Sequence, residues 1–175
     1  MNLQDKDLSK QFEYRTIHPE EATQAIAIEQ ICFPPNEACS AGNMRDRIAV
    51  APELFLVAVD KQSGKMAGFL NGISTDETSF RDEFFTNAQL HNPDGKHIMI
   101  MGLDVLPEYR NQGLAKAIMY EYLQREHERG RQRIVLTCVA TKVKMYERMG
   151  FQNHGIAKST WGDEQWYEMS IVPNV

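Results

Sequence analysis

Short apolar blocks alternate with polar ones along this chain, and their spacing separates strands from helices. Residues 12–17 read as a first strand. Pro19 then opens a helix whose Ala22, Ala25, Ile26, Ile28 and Ile31 share a face, and Phe33-Pro34-Pro35 ends it, because paired prolines cannot continue a helix. A second short helix is expected over residues 41–50. Residues 54–59 form an unbroken apolar run, as in a strand buried on both faces. A turn at 61–65 brings the chain back along 66–73, which predicts a hairpin. The polar stretch 74–96 is long for a loop in a compact domain and is expected to hold a short helix near 80–85.

Beyond it the pattern turns sharply apolar. Residues 97–105 predict a strand, 107–111 a short connection and 112–128 a helix, with Leu114, Ala115, Ile118, Met119, Tyr122 and Leu123 on one face and Gly130 as its stop. A strand at 134–139, a short helix at 140–149 and a closing hairpin over 151–172 around Trp161-Gly162-Asp163 complete the order. That order implies an α/β fold with a mixed sheet and helices on both faces.

Composition narrows the setting. A chain of 175 residues favours one domain spanning 1–175, with 1–11 expected as a flexible N-terminal segment. The formal charge of −5 argues against general nucleic-acid binding and mildly favours cationic small molecules. Cys32, Cys39 and Cys138 form no CxxC pair and no Cys/His group at metal spacing, so no metal is expected and a reduced, cytoplasmic setting is the natural reading. The first residues carry no apolar leader, and no stretch approaches the roughly 20 apolar residues of a membrane span. The residues leave open whether the chain is a monomer or a homodimer.

The candidate chemistry centres on one junction. A buried strand containing Leu103, Asp104 and Val105 runs through a turn into Arg110-Asn111-Gln112-Gly113-Leu114-Ala115, which opens the long helix. Free backbone N–H groups at a helix start, with the positive end of its dipole behind them, suit a pyrophosphate. Gly113 permits close approach, Ala115 adds only a methyl group, and Arg110 and Lys116 add positive charge. The broader pattern Arg/Gln-x-x-Gly-x-Gly/Ala, to which it belongs, arises by chance at about one position in a thousand, so its context between strand and helix carries the weight. The plain alternative is a helix start with a small residue for packing. A second feature is Tyr146, four residues before Gly150-Phe151, whose hydroxyl can donate a proton to a leaving thiolate or, equally, bond a backbone carbonyl in the core.

From residue 14 to 172 the chain resembles the GCN5-related N-acetyltransferases (GNAT superfamily), and within them most the arylalkylamine N-acetyltransferases. The resemblance rests on Arg15-Thr16, Glu21-Ala22, Ile28-Glu29, Phe33-Pro34, Pro52-Glu53-Leu54, Leu90-His91-x-Pro93-x-Gly95, the 110–115 loop and Tyr146 to Phe151, in order and at matching spacing. It implies a mostly antiparallel central sheet with a splayed strand pair, and an enzyme that moves an acetyl group from acetyl-CoA to a small primary amine within a ternary complex. It also implies that the main chain at Leu103, Asp104 and Val105 holds the pantetheine arm, next to a β-bulge suited by Gly102. The 110–116 loop wraps the pyrophosphate, Tyr146 is the general acid, Thr137 lies where acetyl and amine meet, and Phe33 and Pro34 border the amine pocket.

One departure stands out. The paired histidines of the animal arylalkylamine enzymes fall here on Met99 and Met101, expected as pocket or core lining. His97 shares their strand face and is a displaced candidate base, with His91, Asp104 and Glu108 as further ones. Without a paired relay, the rate is expected to follow the neutral fraction of the amine. Protein N-terminal or lysine acetylation, and an acyl-CoA-binding module with little catalysis, remain as alternative readings. Trp161 and Trp166 are expected to pack the last hairpin, Cys138 to pack a strand end, and the arginines of 125–133 to form a solvated helix end.

Overall fold

A computed structural model describes residues 7–174. Seven strands form one sheet in the order β1-β2-β3-β4-β5-β7-β6. They are β1 (Phe12–Thr16), β2 (Phe55–Asp60), β3 (Met66–Thr75), β4 (His97–Val105), β5 (Arg133–Cys138), β6 (Gln152–Ile156) and β7 (Tyr167–Ile171). Every pairing is antiparallel except β4 with β5, so the mixed and mostly antiparallel sheet is present.

The period-two pattern of β2 explains the two layers. Phe55, Val57 and Val59 pack on one face with Ala25, Ile28, Met44 and Ile48 from α1 (Ala22–Cys32) and α2 (Ala41–Val50). Leu56 and Ala58 face the other way, toward Ile118, Tyr122 and Leu123 of α4 (Leu114–Glu128). Both faces are covered, which is why β3 is buried along its whole length.

Several boundaries differ from the sequence reading. Pro19 opens a 3-10 turn, Pro19–Glu21, and the α-helix begins only at Ala22. Ile31, assigned to the apolar stripe, is 58% exposed; the buried line is Ala22, Ala25, Ile28 and Glu29. The helix in the long loop, α3, is Glu83–Thr86, with Phe80 ahead of it packing on Phe84 and Phe85. Of the segment expected to be flexible, residues 1–6 lie outside the described residues, while Leu8 is buried in a 3-10 turn, Leu8–Lys10. The arginines at the end of α4 are tied down: Glu126, only 1% exposed, accepts from Arg129 at 2.5 Å and Arg131 at 3.1 Å, and Arg125 reaches the Tyr14 carbonyl at 3.0 Å. Among the described residues no helix is long and apolar enough to cross a membrane.

Candidate active site

The junction after β4 is shaped by two residues with left-handed backbone. Asn111 has φ 61° and Gly113 φ 89°, so the chain cannot coil into a helix at 112, and α4 starts at Leu114. The turn is braced from both sides: Gln112 Nε2 donates to the Tyr109 carbonyl at 3.0 Å, and the Tyr109 hydroxyl donates to Asp60 at 2.9 Å. Ala117 N–H donates to the Gly113 carbonyl. The amides of Leu114, Ala115 and Lys116 precede that first helical bond and point out of the helix start. Arg110 folds back, donating from Nε to the Val105 carbonyl at 2.8 Å and approaching Cys32 Sγ at 3.6 Å.

Upstream, the sheet opens. β4 and β5 pair only at His97 with Arg133, Ile98 with Ile134 and Met99 with Val135. Beyond these the two strands part, and β5 continues against β7 alone. Opposite the parting, Asn71 pairs with Gly102 but Gly72 with Ile100, which leaves Met101 as the extra residue of a bulge, one position before the glycine expected to mark it. A bulge adds local twist, and here it turns β4 away from β5.

A cleft of about 610 Å³ runs from the α4 start into this opening. Arg110, Asn111, Gly113, Leu114, Ala115 and Lys116 line its outer end, and Leu103, Val105 and Thr137 its sides. Tyr146, from α5 (Val143–Arg148), also lines it, as do Met101, Phe33 and Pro34. Tyr146 is 8% exposed, its ring set edge-on to Phe151 at 5.6 Å. Burial first, then the neighbouring Cys138 and Asp104, hold its phenol protonated well above the ordinary range.

Four residues named from the sequence do not line the cleft. Gln112 braces the loop. Met99 is fully buried in the core. Asp104 is fully buried behind the cleft wall. His97 begins β4, about 13 Å along the strand from Met101. Burial and the Arg133 guanidinium hold its imidazole below its usual value. Of the other base candidates, His91 contacts Glu53 at 2.9 Å and Glu108 pairs with Lys65 at 2.6 Å, so both are engaged elsewhere.

The inner end of the cleft holds residues the sequence reading passed over or assigned to packing. Trp161 and Trp166 line it, with Phe85 stacked on Trp161 at 4.8 Å and an interplanar angle of 34°. Trp161 Nε1 donates to the Glu37 carbonyl at 2.9 Å and Trp166 Nε1 to the Trp161 carbonyl at 2.8 Å, so the indoles close the cleft as well as the hairpin. Glu29 and Arg47, each 4% exposed, also line it. A signal for Glu29 was available: it lies four residues after Ala25, so helical spacing puts a carboxylate on the buried face of α1.

Comparison with known proteins agrees with this geometry. Residues 20–151 match the model of the acetyltransferase (GNAT) family. Serotonin N-acetyltransferase of Mesocricetus auratus is 29% identical over 164 residues, covering 90% of this chain and 75% of that protein. The loading GNATL domain of CurA from Lyngbya majuscula superposes with a TM-score of 0.80 at 15% identity, covering 93% of this chain and 98% of that one. A GphF GNAT-like decarboxylase in complex with isobutyryl-CoA gives 0.76 at 16% identity, covering 93% and 100%.

Proposed function

Because this chain belongs to the acetyltransferase (GNAT) family, we propose that its cleft transfers the acetyl group of acetyl-CoA directly to the nitrogen of a small primary arylalkylamine. The observation that carries this reading is the continuity of the cleft, from the α4 start, past the parted strands and Tyr146, to the aromatic wall of Phe33, Phe85, Trp161 and Trp166.

The outer end fits coenzyme A. A positive-φ glycine and the helix-start amides suit a pyrophosphate, with Arg110 and Lys116 adding charge. The β4 backbone from Leu103 to Val105 has no β5 partner, so the amide-bearing arm would pair along it and a β4 N–H would hold the thioester oxygen as negative charge develops there; the Val105 carbonyl itself is taken by Arg110. Tyr146, protonated throughout the ordinary pH range, supplies a proton to the departing thiolate. Thr137 lines the same cleft, in keeping with a place where acetyl and amine meet.

The aromatic wall favours a small amine with a ring over a peptide chain, since stacked aromatic faces recognise flat apolar groups. The name of the hamster relative supports the same class. Steady-state turnover of acetyl-CoA with a panel of arylalkylamines, plain alkylamines and peptides, read by product mass spectrometry, tests the proposal. Preference for arylalkylamines is expected; acetylation of peptides alone would replace it.

A further inference from the structure

Behind the bulge lies a group of buried polar side chains that the proposed chemistry above does not use. Glu29 of α1, Arg47 of α2, Asn71 of β3 and Asp104 of β4 converge there, none more than 4% exposed. Glu29 Oε1 accepts from the Cys39 N–H at 3.0 Å. Arg47 spends its Nη groups on the Phe85 carbonyl at 2.9 Å and, weakly, on Asn71 Oδ1 at 3.4 Å. Glu29 Oε2 and both Asp104 oxygens have no donor from any other described residue, and the Asn71 amide and Arg47 Nε are likewise unpartnered. Unpaired buried oxygens at a cleft wall point to a ligand that brings hydrogen-bond donors.

The two carboxyls meet where Gly102 has no side chain. A Cβ built on that residue would lie 3.1 Å from Asp104 Oδ1 and 3.7 Å from Glu29 Oε2. Glu29 and Gly102 both line the cleft, and Asp104 does not. Two carboxylates sharing a buried site oppose each other's ionisation. Burial and the neighbouring Glu29 hold Asp104 protonated well above the usual carboxylate range. Arg47 opposes that shift without contacting either carboxyl. The Cys32 and Cys39 thiols nearby are themselves held up by burial and stay neutral.

Resting on the amine-acetylation reading, we propose that Glu29 is the proton acceptor for the incoming ammonium, with Asp104 as the residue that positions and polarises it. One N–H bond of the ammonium breaks, its electron pair stays on nitrogen, and an O–H bond forms at Glu29 Oε2. The neutral amine then attacks the thioester, and the proton leaves to solvent through the cleft with the products. A carboxyl pair on α1 and β4 thus stands in for the paired histidines that this chain lacks, and the amine need not arrive neutral.

The test is the pH profile of kcat/KM for wild type and Glu29→Gln, with acetyl-CoA affinity measured alongside. Wild type should show a plateau between the ionisation of the pair and that of the amine. Glu29→Gln, which keeps an oxygen for the Cys39 N–H, should lose about a hundredfold near pH 7. Its rate should then climb tenfold per pH unit toward the amine pKa, and weakly basic amines should narrow the deficit. Unchanged activity, or a loss uniform over pH and over amines, overturns the proposal. Should that variant fail to fold, Asp104→Val removes the donor and should move the acid-side limb to higher pH, while Asp104→Asn should bring it back. A limb unmoved in Asp104→Val overturns the proposal as well. Absence of amine acetylation by wild type would be a failure of the reading beneath it instead.

Discussion

Replacing Tyr146 by Phe isolates one oxygen in the cleft. The ring is held by Phe151 at 5.6 Å and by burial, contacts that Phe retains. No hydrogen bond contributes to the upward shift of its phenol, so the substitution breaks none and stability should change by under about 0.5 kcal/mol. Catalysis should respond far more. Loss of a general acid typically costs about a hundredfold, which corresponds to about 2.7 kcal/mol of barrier. Stopped assays of free CoA thiol, with product mass confirmed, should therefore show kcat falling while calorimetric affinity for acetyl-CoA holds. Because the phenol is raised, its own titration lies above the working range, so the shape of the pH profile between 7 and 9 should be the same in the variant. Wild-type kcat in a folded Tyr146→Phe enzyme with intact CoA binding would refute the assignment and return Tyr146 to packing.

Gly113→Glu places a carboxylate at a φ of 89° and at the proposed phosphate position, so calorimetry should find CoA binding lost while the melting transition stays cooperative. His97→Ala should leave kcat/KM and its pH profile within about twofold, because the imidazole is outside the cleft; a vanished limb near pH 6.5 would contradict this. Trp161→Leu should raise KM for arylalkylamines by up to about tenfold and leave alkylamines nearly unaffected, in line with an aromatic contact of about 1 kcal/mol. Glu126→Ala should cost about 3 kcal/mol in denaturant unfolding, since it strands Arg131 in a mostly buried setting.

The strands, the long helix and the turn that opens it were legible in the sequence because each rests on local chemistry. Period-two burial, paired prolines after α1 and Gly113 after a buried strand all act within a few residues. Limits set by backbone handedness were not: nothing in Asn111 announces a φ of 61°, and it delayed the helix by two residues. The placement of His97 and Met99 failed for a different reason. Strand alternation gave them the right face, but the bulge at Met101 and the parting of β4 from β5 decide how far along the strand the cleft reaches. The aromatic wall brings Phe85 against Trp161, about 75 positions further along the sequence, which no local pattern records. Glu29 was visible as a carboxylate on an apolar face, but its partner Asp104 became meaningful only when the sheet set the two beside Gly102.

The short ladder between β4 and β5 has a mechanical consequence. Among the described residues, three ladder pairs, extended by the Gln132 N–H to the Lys96 carbonyl, form the main-chain seam between a block of β1, β2, β3 and β4 and a block of β5, β7 and β6. The backbone groups of β4 past Met99 that face the gap have no strand to bind, so the seam behaves as a zipper fastened at one end. A ligand with amides of its own, lying in the gap, would close the remainder. Occupancy should therefore register as cohesion: amide exchange from residue 100 onward on β4 and from 136 onward on β5 should slow on loading. The melting transition should gain about 2.7 kcal/mol at a ligand concentration one hundred times Kd. Substrate loading and the mechanical integrity of the sheet are, on this account, one equilibrium.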